Sequence, residues 1–162
     1  MMIYDTFQSP LGPMRLGSDG KFLTAVIFTG QNYENLHIPA SAVPGTCPVL
    51  EQTKLWLTQY FEGRIPNFLP AMNPKGTPFQ EAVWALLLQI PYGETVTYGT
   101  LAKKLGRKSM PAQAVGGAVG RNPISILIPC HRVVGADGSL TGYAGGLEKK
   151  IYLLKKENCH LK

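Results

Sequence analysis

A segment rich in proline and glycine divides this chain into two halves of different character. It spans residues 64–77 and holds four residues that interrupt regular structure: Pro66, Pro70, Pro74 and Gly76. Proline lacks a backbone donor and fixes φ, so neither a helix nor a central strand can run through such a segment. We predict an inter-domain linker here, with an N-terminal domain over residues 1–73 and a C-terminal domain over residues 74–162. With 162 residues, 44% of them apolar, the chain is long enough for both.

Charge is divided unequally between these halves. Residues 1–75 carry five basic and five acidic groups, whereas residues 76–162 carry eleven basic and five acidic groups, a net charge of +6. An excess of this kind fits either a polyanionic partner or a solvated basic face. Only 16% of residues are charged, which excludes a disordered chain.

Membrane and metal sites are not indicated. No apolar run approaches the ~20 residues of a membrane-spanning helix, and residues 1–20 contain no signal-type apolar stretch. The three cysteines, Cys47, Cys130 and Cys159, cannot form a closed disulfide framework and include no close metal-binding pair. We expect a reducing, cytoplasmic location, no metal and no cofactor.

The N-terminal half has the pattern of a small sheet followed by a helix. We predict strands over residues 2–8, 14–17 and 22–28, the last two joined as a hairpin. Residues 29–48 are predicted as a loop, and apolar residues recur at helical spacing over residues 49–62. No catalytic residue types gather here, so this half is interpreted as a scaffold.

The C-terminal half begins with a helix whose start is clearly marked. Thr77, Pro78 and Gln80 have the spacing of a capping box with proline at the first helical position, and the helix should run to about Ile90.

Two short helices are predicted next, over residues 98–105 and 111–119, and their tight turn is typical of a helix-turn-helix. We then predict a buried strand over residues 124–128, a hairpin over residues 133–141 and an amphipathic helix over residues 147–157.

The second helix of this pair contains adjacent glycines, Gly116 and Gly117. Each costs about 1 kcal/mol relative to alanine in a helix interior. Close packing against another element explains them, and so does a slim helix entering the DNA minor groove, which is about 6 Å wide. Basic residues that could contact phosphates lie nearby: Lys103, Lys104, Arg107, Lys108 and Arg121.

Cys130 is the candidate nucleophile. It follows the apolar run 124–128 and Pro129, and it precedes His131 and Arg132. Neighbouring cations favour the reactive thiolate, although a buried structural cysteine is the plainer alternative. Cys47 and Cys159 lack such neighbours.

The segment 129–133, Pro-Cys-His-Arg-Val, resembles the active-site signature of the O6-alkylguanine-DNA alkyltransferases. Further segments match that family in order and spacing: Thr97-Tyr98, Ala114-Val115-Gly116-Gly117-Ala118, Arg121-Asn122-Pro123, Gly142-Tyr143-Ala144-Gly145-Gly146-Leu147 and Glu157. The resemblance is strong over residues 77–157 and weak over the N-terminal half.

The resemblance implies a DNA repair reaction. The protein would bind duplex DNA containing O6-alkylguanine through the minor groove, flip the damaged base and move its alkyl group onto Cys130, once per molecule. O4-alkylthymine is a further candidate substrate. The protein would act as a monomer and would not associate with a membrane.

The resemblance also implies residue roles. Cys130 would be the acceptor, His131 a base acting through a bound water, and Glu157 the partner of His131. Asn122 would brace the active-site turn, and Tyr98 would donate a proton to the departing guanine. Arg132 would tie the active-site segment to the domain.

Further residues would bind the base and the DNA. Val133 and Tyr143 would line the guanine pocket, with Ala144 offering a backbone donor. The DNA-binding residues would be Lys103, Lys104, Ala112, Gln113, Ala114, Gly116, Gly117 and Arg121.

Two positions depart from the family pattern. Gln113 stands where relatives often carry an arginine that fills the gap left by the flipped base, and glutamine lacks the cationic fork of arginine. Ala144 stands where some relatives have a hydroxyl-bearing residue. These departures bear on rate and lesion range.

Three other functions are compatible with parts of the sequence. A non-catalytic alkyl-lesion sensor of the alkyltransferase-like type would lack Cys130, and a cysteine hydrolase needs a remote histidine, for which only His37 and His160 remain. A helix-turn-helix transcription factor would need more base-reading side chains than Gln113.

The fold implied by the resemblance is α+β. A small ribonuclease-H-like domain of sheet plus helix would precede a winged-helix-like helix-turn-helix domain that carries the active site.

Overall fold

The computed structural model describes residues 1–106, 112–140 and 142–157. The chain forms two compact units. Met1–Lys75 groups with Pro123–Ser125, and Gly76–Asn122 groups with Ile126–Lys162. Residues 123–125 therefore pack with the N-terminal unit, although the sequence analysis assigned them to the C-terminal domain. Across the described ranges, no helix is long and apolar enough to cross a membrane.

A four-stranded sheet forms the N-terminal unit. Its strands are β1 (Ile3–Ser9), β2 (Gly12–Ser18), β3 (Leu23–Phe28) and β4 (Val43–Pro44), in the order β3-β2-β1-β4. The first three pair antiparallel, as consecutive strands with short turns do. The two-residue β4, which pairs parallel to β1, and the short helix α1 (Glu34–His37) both lie inside the predicted loop 29–48.

The core of the N-terminal unit is formed by helix α2 (Pro48–Phe61) together with the sheet. Its buried side chains recur at helical spacing: Val49, Leu50, Thr53, Trp56, Leu57 and Tyr60. The sheet contributes buried side chains from two strands: Met14 and Leu16 on β2, and Ala25 to Phe28 on β3.

The predicted strand over residues 124–128 is wrong. Only Ile124 makes a β-bridge, to Val26, and Ser125 donates its N–H to the Val26 carbonyl at 2.9 Å. Ile126 then has φ of 70°, in the left-handed region that breaks an extended strand and is costly for a β-branched residue. The apolar run is buried, as predicted, but as a set of turns.

The C-terminal unit is mainly helical. It contains α3 (Pro78–Leu87), α4 (Tyr98–Lys104), α5 (Ala112–Gly120) and α6 (Leu147–Lys156). The sequence analysis predicted a helix at each of these places. The predicted start of α5 before residue 112 lies outside the described residues.

Within the described residues 133–140, the hairpin predicted over residues 133–141 does not form, and Thr141 lies outside the described residues. Strand β6 (Val133–Val134) pairs parallel with β5 (Val96–Thr97) instead, and residues 135–139 close a turn in which Gly135 N–H donates to the Ser139 carbonyl at 2.9 Å. The short parallel pair takes up the two residues that would have begun the hairpin.

Helix α5 is amphipathic despite its small side chains. Val115, Ala118 and Val119 are buried in the C-terminal unit. The indole of Trp84, on α3, donates a hydrogen bond to the Ala118 carbonyl at 2.8 Å. A carbonyl near the helix end thus gains a partner, which fixes α5 against α3.

We expect Thr77→Ala to destabilise the protein by about 1 kcal/mol. The Thr77 side chain accepts from the Gln80 N–H at 3.1 Å, and the Gln80 side chain accepts from the Thr77 N–H at 3.0 Å. Alanine removes the bond to the hydroxyl, whereas the backbone N–H of residue 77 can still donate to Gln80. Urea unfolding would measure the loss. Thr77→Ser is the matched control, because it keeps the hydroxyl; equal losses in the two variants would contradict the capping role.

Candidate active site

The candidate nucleophile lies on one turn of 3-10 helix, Cys130–Arg132. Cys130 N–H donates to the Ile128 carbonyl at 2.8 Å and Arg132 N–H donates to the Pro129 carbonyl at 3.0 Å. The Asn122 side-chain amide donates to the same Ile128 carbonyl at 2.8 Å. These bonds hold the backbone on both sides of Cys130, a residue that is only 6% exposed.

Next to the cysteine, a buried histidine pairs with a buried glutamate. His131 Nε2 lies 2.7 Å from Glu157 Oε2, and both side chains are fully buried. Glu157 follows the last turn of α6, so the pair joins two segments 26 residues apart in sequence. A buried carboxylate is costly unless it is paired and hydrogen-bonded, as this one is.

The other oxygen of Glu157 has two donors of its own. Arg132 Nε donates to Oε1 at 2.7 Å, and Gly93 N–H donates to it at 3.2 Å. Burial alone would raise the pKa of Glu157, but the hydrogen bonds from His131 and Arg132 outweigh it and lower the pKa to about 2. Glu157 is therefore a carboxylate throughout the physiological range.

This carboxylate fixes the state of His131. A carboxylate only accepts, so His131 Nε2 must carry the proton and donate it. Burial lowers the pKa of His131, with the Glu157 carboxylate opposing and the charges of Arg132 and Lys150 adding to the effect. The imidazole is thus neutral, and its Nδ1 keeps a lone pair. Nδ1 is buried and makes no hydrogen bond within the described part of the chain.

The Cys130 thiol is in a mixed environment. Burial raises its pKa, while hydrogen bonds from Asn122 and Tyr143 and the charge of Lys150 lower it. These neighbours favour the thiolate, whereas burial away from water favours the neutral thiol. The expectation that His131 and Arg132 lower the pKa of the thiol is wrong, because burial outweighs the neighbours and the pKa of Cys130 is raised.

Lys150 is a site residue that the sequence analysis missed. Its ammonium is fully buried and donates to the Val133 carbonyl at 2.7 Å. Burial lowers its pKa to about 8. A signal was available, because Lys150 stands three and four residues before the buried Leu153 and Leu154 and so lies on the apolar face of α6.

Tyr98 is the first residue of α4, whose N-terminus is capped by Thr97. A Cβ on Gly116 would lie 3.7 Å from the Tyr98 ring, so the ring covers this glycine. Gly117 has open space at the corresponding position. One of the adjacent glycines therefore accommodates the Tyr98 ring, and the other contributes to an open surface.

Most of the predicted DNA-binding residues are exposed. They lie on α4, on α5 and at the residue that follows α5. The exposed ones are Lys103, Lys104, Gln113, Ala114, Gly117 and Arg121, and Gly116 is partly buried. Ala112 begins α5, and its side chain lies outside the described residues.

The predicted pocket residues are less exposed. Val133 is fully buried, while Tyr143 and Ala144 are partly buried. Among the residues that the structure describes, no group of histidine, cysteine and carboxylate side chains could hold a metal ion.

Comparison with known families gives two matches that together span most of the chain. Residues 78–159 match the 6-O-methylguanine DNA methyltransferase DNA binding domain, and residues 2–69 match the ribonuclease-like domain of the same family. A protein of Methanosarcina acetivorans named methylated-DNA--protein-cysteine methyltransferase is 44% identical over 96% of this chain and 98% of its own length. A protein of the same name from Mycobacterium tuberculosis is 43% identical over 97% of this chain and 93% of its own length.

Solved structures agree. The M. tuberculosis OGT in complex with DNA has a TM-score of 0.86 at 41% identity, covering 96% of this chain and 92% of that one. The O6-methylguanine-DNA methyltransferase of Pyrococcus kodakaraensis has a TM-score of 0.69 at 28% identity, covering 97% and 99%. The two-domain α+β fold, with its N-terminal sheet and C-terminal helical DNA-binding domain, is thereby confirmed. The chain belongs to the 6-O-methylguanine DNA methyltransferase family.

Proposed function

We propose that this protein repairs DNA by moving the alkyl group of O6-alkylguanine in duplex DNA onto its own Cys130. The transfer is irreversible and occurs once per molecule, because a thioether is not hydrolysed under cellular conditions. O4-alkylthymine is a second candidate lesion. No cofactor takes part: the protein is both acceptor and catalyst.

One observation carries the proposal. Cys130 lies beside a fully buried His131–Glu157 pair at 2.7 Å, in the part of the chain that matches the family's DNA binding domain. A nucleophile, a base and an acid that orients the base form the arrangement that activates nucleophiles in many enzymes.

The proton of the thiol moves to His131. Cys130 and His131 are adjacent in sequence, so one bridging water takes the proton from Sγ and gives one to Nδ1. The resulting imidazolium is stabilised by the Glu157 carboxylate, which lies 2.7 Å from Nε2. The proton remains on His131, because Glu157 is too weak a base to accept it.

The thiolate then attacks the alkyl carbon. A C–S bond forms as the C–O bond to guanine breaks, and the electron pair of the broken bond goes to the guanine. Tyr98 donates a proton to that departing base. Val133 and Tyr143 line the pocket of the flipped base, and the Ala144 N–H donates to O6.

DNA binding is assigned to α4 and α5, within a reaction domain of residues 74–162 carried on a scaffold of residues 1–73. Exposed Lys103, Lys104 and Arg121 contact phosphates. The exposed surface of α5 consists largely of small residues and enters the minor groove.

A monomer is sufficient, because one chain holds the nucleophile, the base and the DNA-binding helices. We further infer a cytoplasmic location, since the nucleophile requires a compartment that keeps thiols reduced.

The direct test is an intact-mass measurement. We expect the native protein, mixed with a duplex oligonucleotide carrying one O6-methylguanine, to gain one methyl group and to saturate at one per chain. Cys130→Ser should gain none, and Cys47→Ser should gain one as the native protein does, because Cys47 belongs to the N-terminal unit whereas Cys130, His131 and Glu157 belong to the C-terminal unit.

Other outcomes would reject the proposal. Tight binding to the lesion without methyl gain would indicate a lesion sensor. Neither binding nor gain would return a cysteine hydrolase to consideration, and a chromogenic ester would test that activity.

The Glu157 carboxylate should also be visible in the pH dependence of stability. Its folded-state pKa of about 2 lies below the ordinary 4.5, so its contribution is present above about pH 4.5 and is lost as pH falls to about 2. We expect native protein to exceed Glu157→Gln in unfolding free energy by about 3 kcal/mol more at pH 6 than at pH 2. Urea unfolding across this range measures the gap, with the exposed Glu94→Gln as the matched control. A gap that does not narrow at low pH would contradict the assignment.

Gln113→Arg should tighten DNA binding and make it more dependent on salt. Gln113 is exposed on α5, and an added cation there should increase the salt slope of the binding constant by about 1. Fluorescence titration of duplex DNA at several salt concentrations measures this. Gln113→Met is the control for length without charge, and an equal slope in both variants would count against phosphate contact at this position.

A further inference from the structure

Arg132 contacts both Glu157 and the loop after α3; we call the group formed by Glu157, His131 and Cys130 the relay. Its Nε donates to Glu157 Oε1 at 2.7 Å and its Nη1 donates to the Ile90 carbonyl at 2.7 Å. The guanidinium also lies 5.6 Å from the centre of the Tyr92 ring. Arg132 is only 8% exposed, so these interactions form away from solvent. It thus connects the carboxylate of the relay to the loop after α3.

The same loop approaches Glu157 from its backbone. Gly93 has φ of 85° and donates its N–H to Glu157 Oε1 at 3.2 Å. A Cβ at Gly93 would lie 3.2 Å from the Glu157 carbonyl oxygen, which is tighter than ordinary packing. A residue without a side chain is therefore needed at this point.

These contacts give the two oxygens of the Glu157 carboxylate different hydrogen-bond donors. Oε1 accepts from Arg132 and Gly93, and Oε2 accepts from His131. The planar guanidinium can hold Glu157 and the Ile90 carbonyl at once because its donors are fixed in one plane. The carboxylate cannot rotate without breaking bonds to both donors.

We propose that Arg132 is a positioning residue for alkyl transfer, which locks Glu157 with Oε2 toward His131 and so keeps the His131 proton on Nε2 and the Nδ1 lone pair available to the nucleophile. The role in transfer rests on the proposed function. The control of the histidine tautomer does not, since it depends only on the buried contacts.

The charge of Arg132 also sets how strongly the relay holds a proton. His131 is faced by Glu157, Arg132 and Lys150, and the two cations lower its pKa, as Arg132 does for Glu157. Removing the guanidinium leaves one buried cation fewer. The Cys130–His131 unit then holds its proton more tightly, and the rise of the transfer rate with pH moves to higher pH.

Arg132→Met and Arg132→Lys test this, with Arg15→Met as the matched control. Arg15 also pairs with a glutamate, Glu34, at 3.3 Å, but in the N-terminal unit. Single-turnover methyl transfer from O6-methylguanine duplex would be measured across pH. The 15N shifts of the His131 ring would be recorded in the absence of DNA.

We expect Arg132→Met to move the midpoint of the pH profile upward and to lower the rate at neutral pH by about tenfold to a hundredfold, a part of the ~10²–10⁴-fold that a positioned general base contributes. Its His131 ring should lose the single Nε2–H form. Arg132→Lys should keep the midpoint, because the charge remains, with a rate between the two. Arg15→Met should match the native protein in both readouts.

A native midpoint and a native His131 tautomer in Arg132→Met would overturn the proposal, whatever the change in rate. If Arg132→Met does not fold, the 15N shifts of His131 in the native protein still test the proposal. A ring protonated on Nδ1 instead of Nε2 would overturn the proposal. If the native protein gained no methyl group, the proposed function would fail together with the role in transfer. The ring nitrogens would then still show whether Arg132 sets the tautomer.

Discussion

The buried carboxylate of Glu157 is the interaction on which the active region depends. A carboxylate that is removed from water must be matched by donors, or it is neutralised. Here His131, Arg132 and Gly93 supply those donors from two separate segments, and Glu157 itself follows a third, α6. Its ionised state holds the active-site turn, the loop after α3 and the end of α6 together. The same state decides which nitrogen of His131 can act as a base, so stability and reactivity arise from one set of bonds.

The backbone that leads to the nucleophile is fixed by its own hydrogen bonds. Before it, Ser125 bonds to Val26 of β3, and Ile126 adopts a left-handed conformation that costs of order 1–3 kcal/mol for such a residue. Such a conformation persists only where the surroundings determine it. Asn122 reaches across the segment to the Ile128 carbonyl and thereby closes the loop that leads to Cys130. A sulfur held in this way loses little entropy on reaching a near-attack position.

Helix α5 shows a compromise between stability and surface shape. Its glycines weaken the helix, and its packing compensates through buried Val115 and Val119 and through the hydrogen bond from Trp84 to the Ala118 carbonyl. Gly116 lies under the Tyr98 ring, whereas Gly117 faces open space. Close packing and a slim outer surface, which the sequence left as alternatives, thus apply to neighbouring residues of one helix.

Much of this protein was determined by the sequence itself. Helical and strand periodicity, the capping box at Thr77 and the breaks at glycine and proline predicted the main helices and the first three strands, because these depend on neighbours in the chain. The resemblance to a family drew attention to Cys130, His131 and Glu157. Periodicity could not show that the apolar run at Ile126 is bent, or that β6 pairs parallel with β5, because those outcomes depend on partners far along the chain. The ammonium of Lys150 beneath the active-site turn and the division of Glu157 between His131 and Arg132 were likewise decided by the tertiary structure. Burial and pairing are properties of the folded surroundings, and they determine which of these groups carry charge.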